Sequence, residues 1–354
     1  MPTAPNLDAS SFFLMDFDSG HIIADSNSDK RVSPASITKI MTAYVAFNEL
    51  TNGNLSLDNQ VTISEKAWRT GGSKMFVEVN KQVSIENLLK GMIIQSGNDA
   101  SIAIAEHIAG DEATFAELMN QHAKRLGMKN THFANSTGLP HPEHHSTARD
   151  LAILARALIR EFPEYYKWHS IKEFTFNNIK QYNRNKLLWR NESVDGVKTG
   201  YTEKAGYCLV ASAYRDGMRL ISVVMGATSE NARNSDNQTL LNYGFRFFET
   251  HKLYGAQDTL AETKIWKGQT DNLKLGLDQD LYVTIPRNHY KDLNATMEID
   301  KRIQAPVKRG SSLGIVNITL GEEIIASKSL LALGSIKKGG ILKRVYDEIL
   351  LRLE

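Results

Sequence analysis

The chain has 354 residues, longer than a single hydrophobic core usually serves, so two domains are expected, the larger one first. Its 42 Lys and Arg nearly balance 40 Asp and Glu, for a formal charge of +2, and no basic stripe is interleaved with aromatics, which sets nucleic-acid binding aside. The single cysteine, Cys208, excludes an internal disulfide and any CxxC metal framework, and no apolar run approaches the roughly 20 residues that cross a bilayer.

In chain order, "FFLMDFDSGHIIADSN" alternates apolar and polar residues on both sides of Asp18-Ser19-Gly20, the pattern of a β-hairpin closed by a glycine turn. From Ile37 the apolar positions Ile40, Met41, Tyr44 and Val45 follow a helical period, as do Ile85, Leu88, Leu89, Met92 and Ile93. Ala100 to Ala109 is apolar nearly all round and reads as a central helix, with Ser96-Gly97-Asn98 as the short break before it. Gly127 stops the helix carrying "FAELMNQHAKRL", and Thr147 with Asp150 caps the one carrying "LAILARALI". After about residue 172 the period becomes two: "EFTFNN", "VDGVKTGYT", "GYCLVASAY" and "MRLISVVMG" read as strands, the last pair turned by Arg215-Asp216-Gly217. Cys208 falls among them at a packed strand position, and a helix follows over about Glu230 to Phe248.

Strands at both ends with helices between them predict an α+β fold, an antiparallel sheet covered by helices, over residues 1–248. Residues 249–335 carry only short strand signals between Gly and Pro turns and form a small all-β domain. The tail, 336–354, places Ile341, Leu342, Val345, Tyr346, Ile349 and Leu350 opposite Lys343, Arg344, Asp347 and Glu348. Such a face suits a membrane-lying anchor or a helix docked on the β-domain; the anchor is the reading taken.

Ser36 and Lys39 are three apart at the start of the first helix, so their side chains can meet. A serine hydroxyl needs a base, and a lysine serves if burial, a second cation or the positive helix end keeps its amine neutral. SxxK alone recurs by chance, but Ser96-Gly97-Asn98 and Lys198-Thr199-Gly200 follow in the order SxxK, SxN, KTG. Without that pattern, Ser96 and Asn98 read as helix caps, Lys198 as a solvated strand lysine and Arg233 as a surface helix residue. "HPEHH", residues 141–145, lacks HExxH spacing, and Pro142 argues for a loop, so no metal is assigned to His141, Glu143, His144 or His145.

With these motifs and the flanks "SPASITKIMTAYV", "GMIIQSGNDASIAIAEHIAG", "STARDLA", "NRNKLLW", "GFRFFET" and "LYVTIPR", the chain resembles the low-molecular-mass penicillin-binding proteins that act as D-alanyl-D-alanine carboxypeptidases, of the kind with a C-terminal β-domain and a membrane-anchoring tail. The resemblance spans nearly the whole chain. It implies a β-lactamase-like DD-peptidase domain before the β-sandwich, and a serine hydrolase that removes the terminal D-alanine from peptidoglycan pentapeptide stems without a cofactor. It implies Ser36 as nucleophile, Lys39 as base, Ser96 as proton relay, Asn98 holding Lys39 and substrate, and Lys198 as second cation. Thr199, Gly200, Tyr201 and Arg233 would bind substrate, with the backbone N–H groups of Ser36 and Tyr201 as the oxyanion hole. Tyr201 stands where members often carry histidine. β-Lactams are implied as covalent inhibitors. The location implied is the periplasmic face of the inner membrane, with a signal segment removed and the tail attached peripherally. D,D-endopeptidase, weak transpeptidase or weak β-lactamase chemistry uses the same motifs, though Glu143 lacks the ExxLN setting of a β-lactamase glutamate. A wall- or partner-binding scaffold is the reading from another class.

Overall fold

The computed structural model describes residues 3–353, so the first two residues of the expected larger domain and Glu354 of the tail lie outside them. The chain divides into two compact units, Met1–Arg246 and Phe247–Glu354.

The first unit is built on a five-stranded antiparallel sheet. Its strands are β1 (Ser11–Asp16), β2 (Ile22–Ser26), β3 (Val194–Thr202), β4 (Gly206–Arg215) and β5 (Met218–Ala227), in the order β2-β1-β5-β4-β3. The predicted hairpin and strand pair are both present, and the β4–β5 turn is made by Asp216 and Gly217, whose φ angles of 50° and 83° suit the twist of a two-residue hairpin. The middles of β4 and β5 are buried without alternation because helices cover the sheet. Cys208 is fully buried on β4, where burial pushes its thiol up to about 11.

The longer helices are α1 (Lys39–Thr51), α2 (Ile85–Ile94), α3 (Asn98–Ala109), α4 (Glu112–Leu126), α5 (Ala148–Glu161) and α6 (Glu230–Phe247). Eight successive residues of α3, Asn98 to Ala105, are buried, so the SGN break opens onto a helix inside the core. Gly127 ends α4 at φ 79°. Thr147 caps α5 by accepting from Asp150 N at 3.1 Å, but the Asp150 carboxylate turns away to Asn130 N and Thr131 Oγ1. It therefore ties the 130s loop to the helix start. "EFTFNN" has a partner that the sequence reading missed: Glu173–Phe176 pairs with Ile179–Tyr182 across Asn177 and Asn178, both at positive φ.

The second unit is a β-sandwich. A five-stranded sheet in the order Ala261–Lys264, Asn272–Gly276, Glu323–Ala332, Ser312–Leu320, Leu293–Ile299 accompanies the pair Phe248–Tyr254 and Leu281–Pro286. Leu275, Val283, Ile285, Val316, Ile318 and Leu330 fill its core. Its tail forms α7 (Ile341–Leu353), which meets the unit through its polar side: Asp347 Oδ2 accepts from Lys267 N at 2.6 Å, Glu348 pairs with Lys267 at 2.5 Å, and Lys343 pairs with Asp271. The predicted apolar face points out, with Leu342 87% and Tyr346 63% exposed, although Leu351 is buried. Among the described residues, no helix is long and apolar enough to cross a membrane.

Candidate active site

Ser36 sits in a 3-10 turn, Ala35–Thr38, that precedes α1, and only Lys39 belongs to the α-helix. The turn is held from two sides. Ala35 is buried with φ 47°, and Gly138, at φ 83°, passes so close that a Cβ there would lie 1.8 Å from Ala35 O. On the other side β3 runs past: a Cβ on Gly200 would meet Pro34 O at 3.0 Å and Ile37 N at 3.2 Å. The resemblance implied that Gly200 binds substrate. The space its missing side chain leaves is taken up by the serine turn, while its backbone lines the cleft.

The cleft, about 600 Å³, is lined by Ser36, Ser96, Asn98, Thr199, Tyr201 and Arg233 among others. Lys39 and Lys198 lie beneath it, 1% and 3% exposed. The Lys39 amine is 3.1 Å from Ser36 Oγ, 2.7 Å from Asn98 Oδ1 and 2.6 Å from Thr137 O. Two of these partners are carbonyl oxygens and can only accept, whereas the hydroxyl can donate. Burial pushes the Lys39 amine down to about 7; Asp99 and Glu112 oppose this and Arg184 adds to it. A neutral amine has two protons for the two carbonyls and a lone pair left for the serine proton. That arrangement can activate a nucleophile.

Ser96 stands at φ 68° in the break between α2 and α3, and its hydroxyl accepts from Lys198 Nζ at 3.0 Å. Lys198 also donates to Thr199 O at 3.2 Å. Burial first, and then Lys39, Arg184 and Arg233, hold the Lys198 amine well below the ordinary lysine range. The two serine–lysine pairs thus face one cleft, Ser36 and Lys39 from the turn and start of α1, Ser96 from the α2–α3 break and Lys198 from β3, the edge strand of the sheet. Asn98 is fixed between them, its Nδ2 donating to Gly71 O at 2.7 Å.

At the β3 end, Tyr201 is half exposed and packs on Tyr207 at 4.4 Å between ring centroids. Arg233 is buried, with Nη1 3.4 Å from Gly200 O, Nη2 3.8 Å from Glu230 and its guanidinium over the Tyr207 ring. It is a buried cation at the cleft wall and not a surface helix residue. Thr199 is buried beside it on the cleft lining.

The histidine loop has a structural job. His144 is buried, accepts from Ala134 N through Nδ1 and so carries its proton on Nε2, facing Thr38 Oγ1 at 2.8 Å. Burial, followed by the neighbouring His141, His132 and His145, pushes it down to about 4. Among the described residues no cluster of three or more His, Cys, Asp or Glu is placed to hold a metal. Sequence reasoning missed the Thr137 carbonyl, Gly138, Asp99 and Arg184. The first two act through backbone, which side-chain motifs do not report; Asp99 directly follows the SGN motif and was the one within reach.

Two serine–lysine pairs in a cleft at the edge of an antiparallel sheet, in the order SxxK, SxN, KTG, define a serine acyl-transfer enzyme of the penicillin-recognising class. The chain belongs to the D-alanyl-D-alanine carboxypeptidase family: the peptidase S11 model of that description matches residues 1–229, and the model for the penicillin-binding protein 5 C-terminal domain matches residues 248–338. The D-alanyl-D-alanine carboxypeptidase DacC of Escherichia coli is 43% identical over 99% of this chain and 89% of its own length. The crystal structure of penicillin-binding protein 5 from Haemophilus influenzae superposes with a TM-score of 0.93 at 43% identity, covering 96% of this chain and 100% of that one. Penicillin-binding protein D2 of Listeria monocytogenes in its ampicillin-bound form matches 69% of this chain and 100% of its own, with a TM-score of 0.64 and 31% identity.

Proposed function

We propose that this chain removes the terminal D-alanine from peptidoglycan stem peptides through an acyl-enzyme on Ser36. The observation that carries the reading is the Lys39 amine placed among Ser36 Oγ and two carbonyl oxygens. Lys39 takes the Ser36 proton as Oγ attacks the carbonyl between the two D-alanines. The backbone N–H groups of Ser36 and Tyr201 receive the oxyanion, and Ser96, held by Lys198, relays the proton that Lys39 took on to the leaving amine, which returns Lys39 to its neutral form. Thr199 and the buried positive charge of Arg233 favour a substrate with a free carboxylate at the β3 end of the cleft. Water then attacks the ester, with Lys39 as base again. β-Lactams acylate the same serine.

The apolar face of α7 points away from the β-sandwich while its polar side is engaged by Lys267 and Asp271. This supports peripheral attachment of the tail to a membrane surface and, with the substrate, a place at the periplasmic face of the inner membrane. The test of the enzyme reading is D-alanine release from a peptide ending in L-Lys-D-Ala-D-Ala. Wild type should release it; Ser36→Ala and penicillin-treated wild type should not. Release by Ser36→Ala would overturn the assignment.

A further inference from the structure

Just beyond Gly72 and Ser73, which line the cleft, three consecutive backbone amides end on one buried carboxylate. Asp99, 1% exposed, accepts from Met75 N at 3.0 Å through Oδ1, and from Phe76 N at 3.0 Å and Val77 N at 3.3 Å through Oδ2. Successive N–H groups converge on an anion only where the backbone is concave, and Phe76 provides the curvature with φ 69°, which a residue with a side chain ordinarily avoids. The side chain of Phe76 is half exposed, so nothing in the core demands that conformation. Gln181 and Asn177 hold the same segment by its carbonyls, donating to Met75 O at 3.0 Å and Phe76 O at 3.2 Å, without the negative charge that strengthens the Asp99 contacts.

That segment controls Asn98. Asn98 N donates to Ser73 O at 2.7 Å and its Nδ2 to Gly71 O at 2.7 Å, which leaves Oδ1 as the end of the amide that faces Lys39. Were residues 71–73 to move, nothing else named here would keep the amide from turning its N–H groups toward the lysine. The clamp and the base are therefore joined through three contacts of Asn98, none of them with substrate.

We propose that Asp99 is a positioning residue for acylation: its carboxylate fixes residues 71–77 so that Asn98 presents its carbonyl oxygen to Lys39. The proposal rests on the acyl-enzyme reading above. It differs from a helix-start role, in which an acidic residue in the first turn of α3 only offsets the helix dipole. The charges acting on Lys39 are Asp99 and Glu112, which raise its pKa, and Arg184, which lowers it; Lys198 in turn responds to Lys39. Removing the Asp99 charge therefore shifts the acid limb of acylation to lower pH while the lost clamp lowers the plateau.

The experiment is the rate of labelling of the full chain by a fluorescent penicillin between pH 5 and 9, with Ser36→Ala as the control for the labelled residue. Asp99→Asn is expected to lower the plateau on the order of 10²-fold, the cost of misplacing a catalytic group by about an ångström, and to move the acid limb down. Phe76→Val, a branched side chain at positive φ, is expected to lower the plateau with the acid limb unmoved, whereas Phe76→Gly keeps the wild-type rate. A wild-type plateau in Asp99→Asn overturns the proposal. So does equal labelling by the two Phe76 variants, which decides the matter even if Asp99→Asn fails to fold. Wild type that cannot be labelled at Ser36 overturns the acyl-enzyme reading and this proposal with it; labelled wild type with unaffected variants overturns this proposal alone.

Discussion

Lys39 has three oxygen neighbours and, as a neutral amine, two protons to give them, so its protonation state decides whether Ser36 has a base. Since burial pushes that amine down to about 7, the sign of the pH dependence follows: below about 7 the base is protonated, and acylation falls about tenfold per pH unit. Above it the rate levels off. Labelling by a penicillin across pH 5 to 9 checks this, and a flat profile would contradict it. Lys39→Met should lose roughly 10²–10⁴-fold in the same assay. It should also lose stability, because Asn98 Oδ1 and Thr137 O would be left in the interior without their donor, at about 1–3 kcal/mol each. Urea unfolding reads that loss. At this scale the sequence was most legible where chemistry is carried by side chains in short motifs, as with Ser36, Lys39, Ser96, Asn98 and Lys198. The Thr137 carbonyl was illegible because every residue has one, and only a fold that returns the chain 98 positions later brings this one to Lys39.

The elements around the site are held in register by close backbone approaches, and these are more fragile than the cores behind them. Gly138 and Gly127 both have φ near 80°, yet a Cβ on Gly138 would strike Ala35 O whereas one on Gly127 meets nothing within 4 Å. Gly127→Ala should cost only the strain of its conformation, roughly 1 kcal/mol, and leave penicillin labelling intact. Gly138→Ala should cost roughly 1–3 kcal/mol more and slow labelling, because the serine turn must move to admit the methyl group. Equal melting curves and equal labelling for the two variants would show that the approach has no such role. Thr147→Ala, which removes the cap of α5 at a residue that does not line the cleft, should lower stability by about 1 kcal/mol without changing the labelling rate. The helices and the hairpin turns were legible as periods and glycine signals. The 3-10 turn under Ser36 was not: its left-handed residue is Ala35, whose side chain gives no warning, and its shape depends on Gly138 a hundred positions on.

For the whole molecule the near-neutral charge removes long-range steering toward a charged partner, which leaves α7 as the feature that bears on where the protein works. The apolar period of the tail could be read from the sequence, but which face is docked could not. Docking depends on Lys267 and Asp271, some 70 to 80 positions earlier, and these engage the charged side of the helix. With Leu342, Val345, Tyr346 and Ile349 all more than half exposed, the helix is oriented as an interfacial helix would be, and the exposed Lys337, Lys338, Arg344 and Arg352 add attraction to an anionic surface of about 1 kcal/mol each where they reach it. The protein should therefore sediment with vesicles of phosphatidylethanolamine and phosphatidylglycerol, and less so as salt is raised. Leu342→Asp combined with Tyr346→Asp should abolish sedimentation while D-alanine release from a soluble peptide stays at the wild-type rate, because that chemistry is placed in the first unit. Asp347→Ala probes the docked side instead: it leaves Lys267 N without its acceptor, while Lys343 keeps Asp271, and should loosen the helix from the sandwich while leaving its apolar face able to bind. A wild-type protein that stays in the supernatant at low salt would count against the membrane reading and leave α7 as a helix secured to the β-sandwich by its charged side.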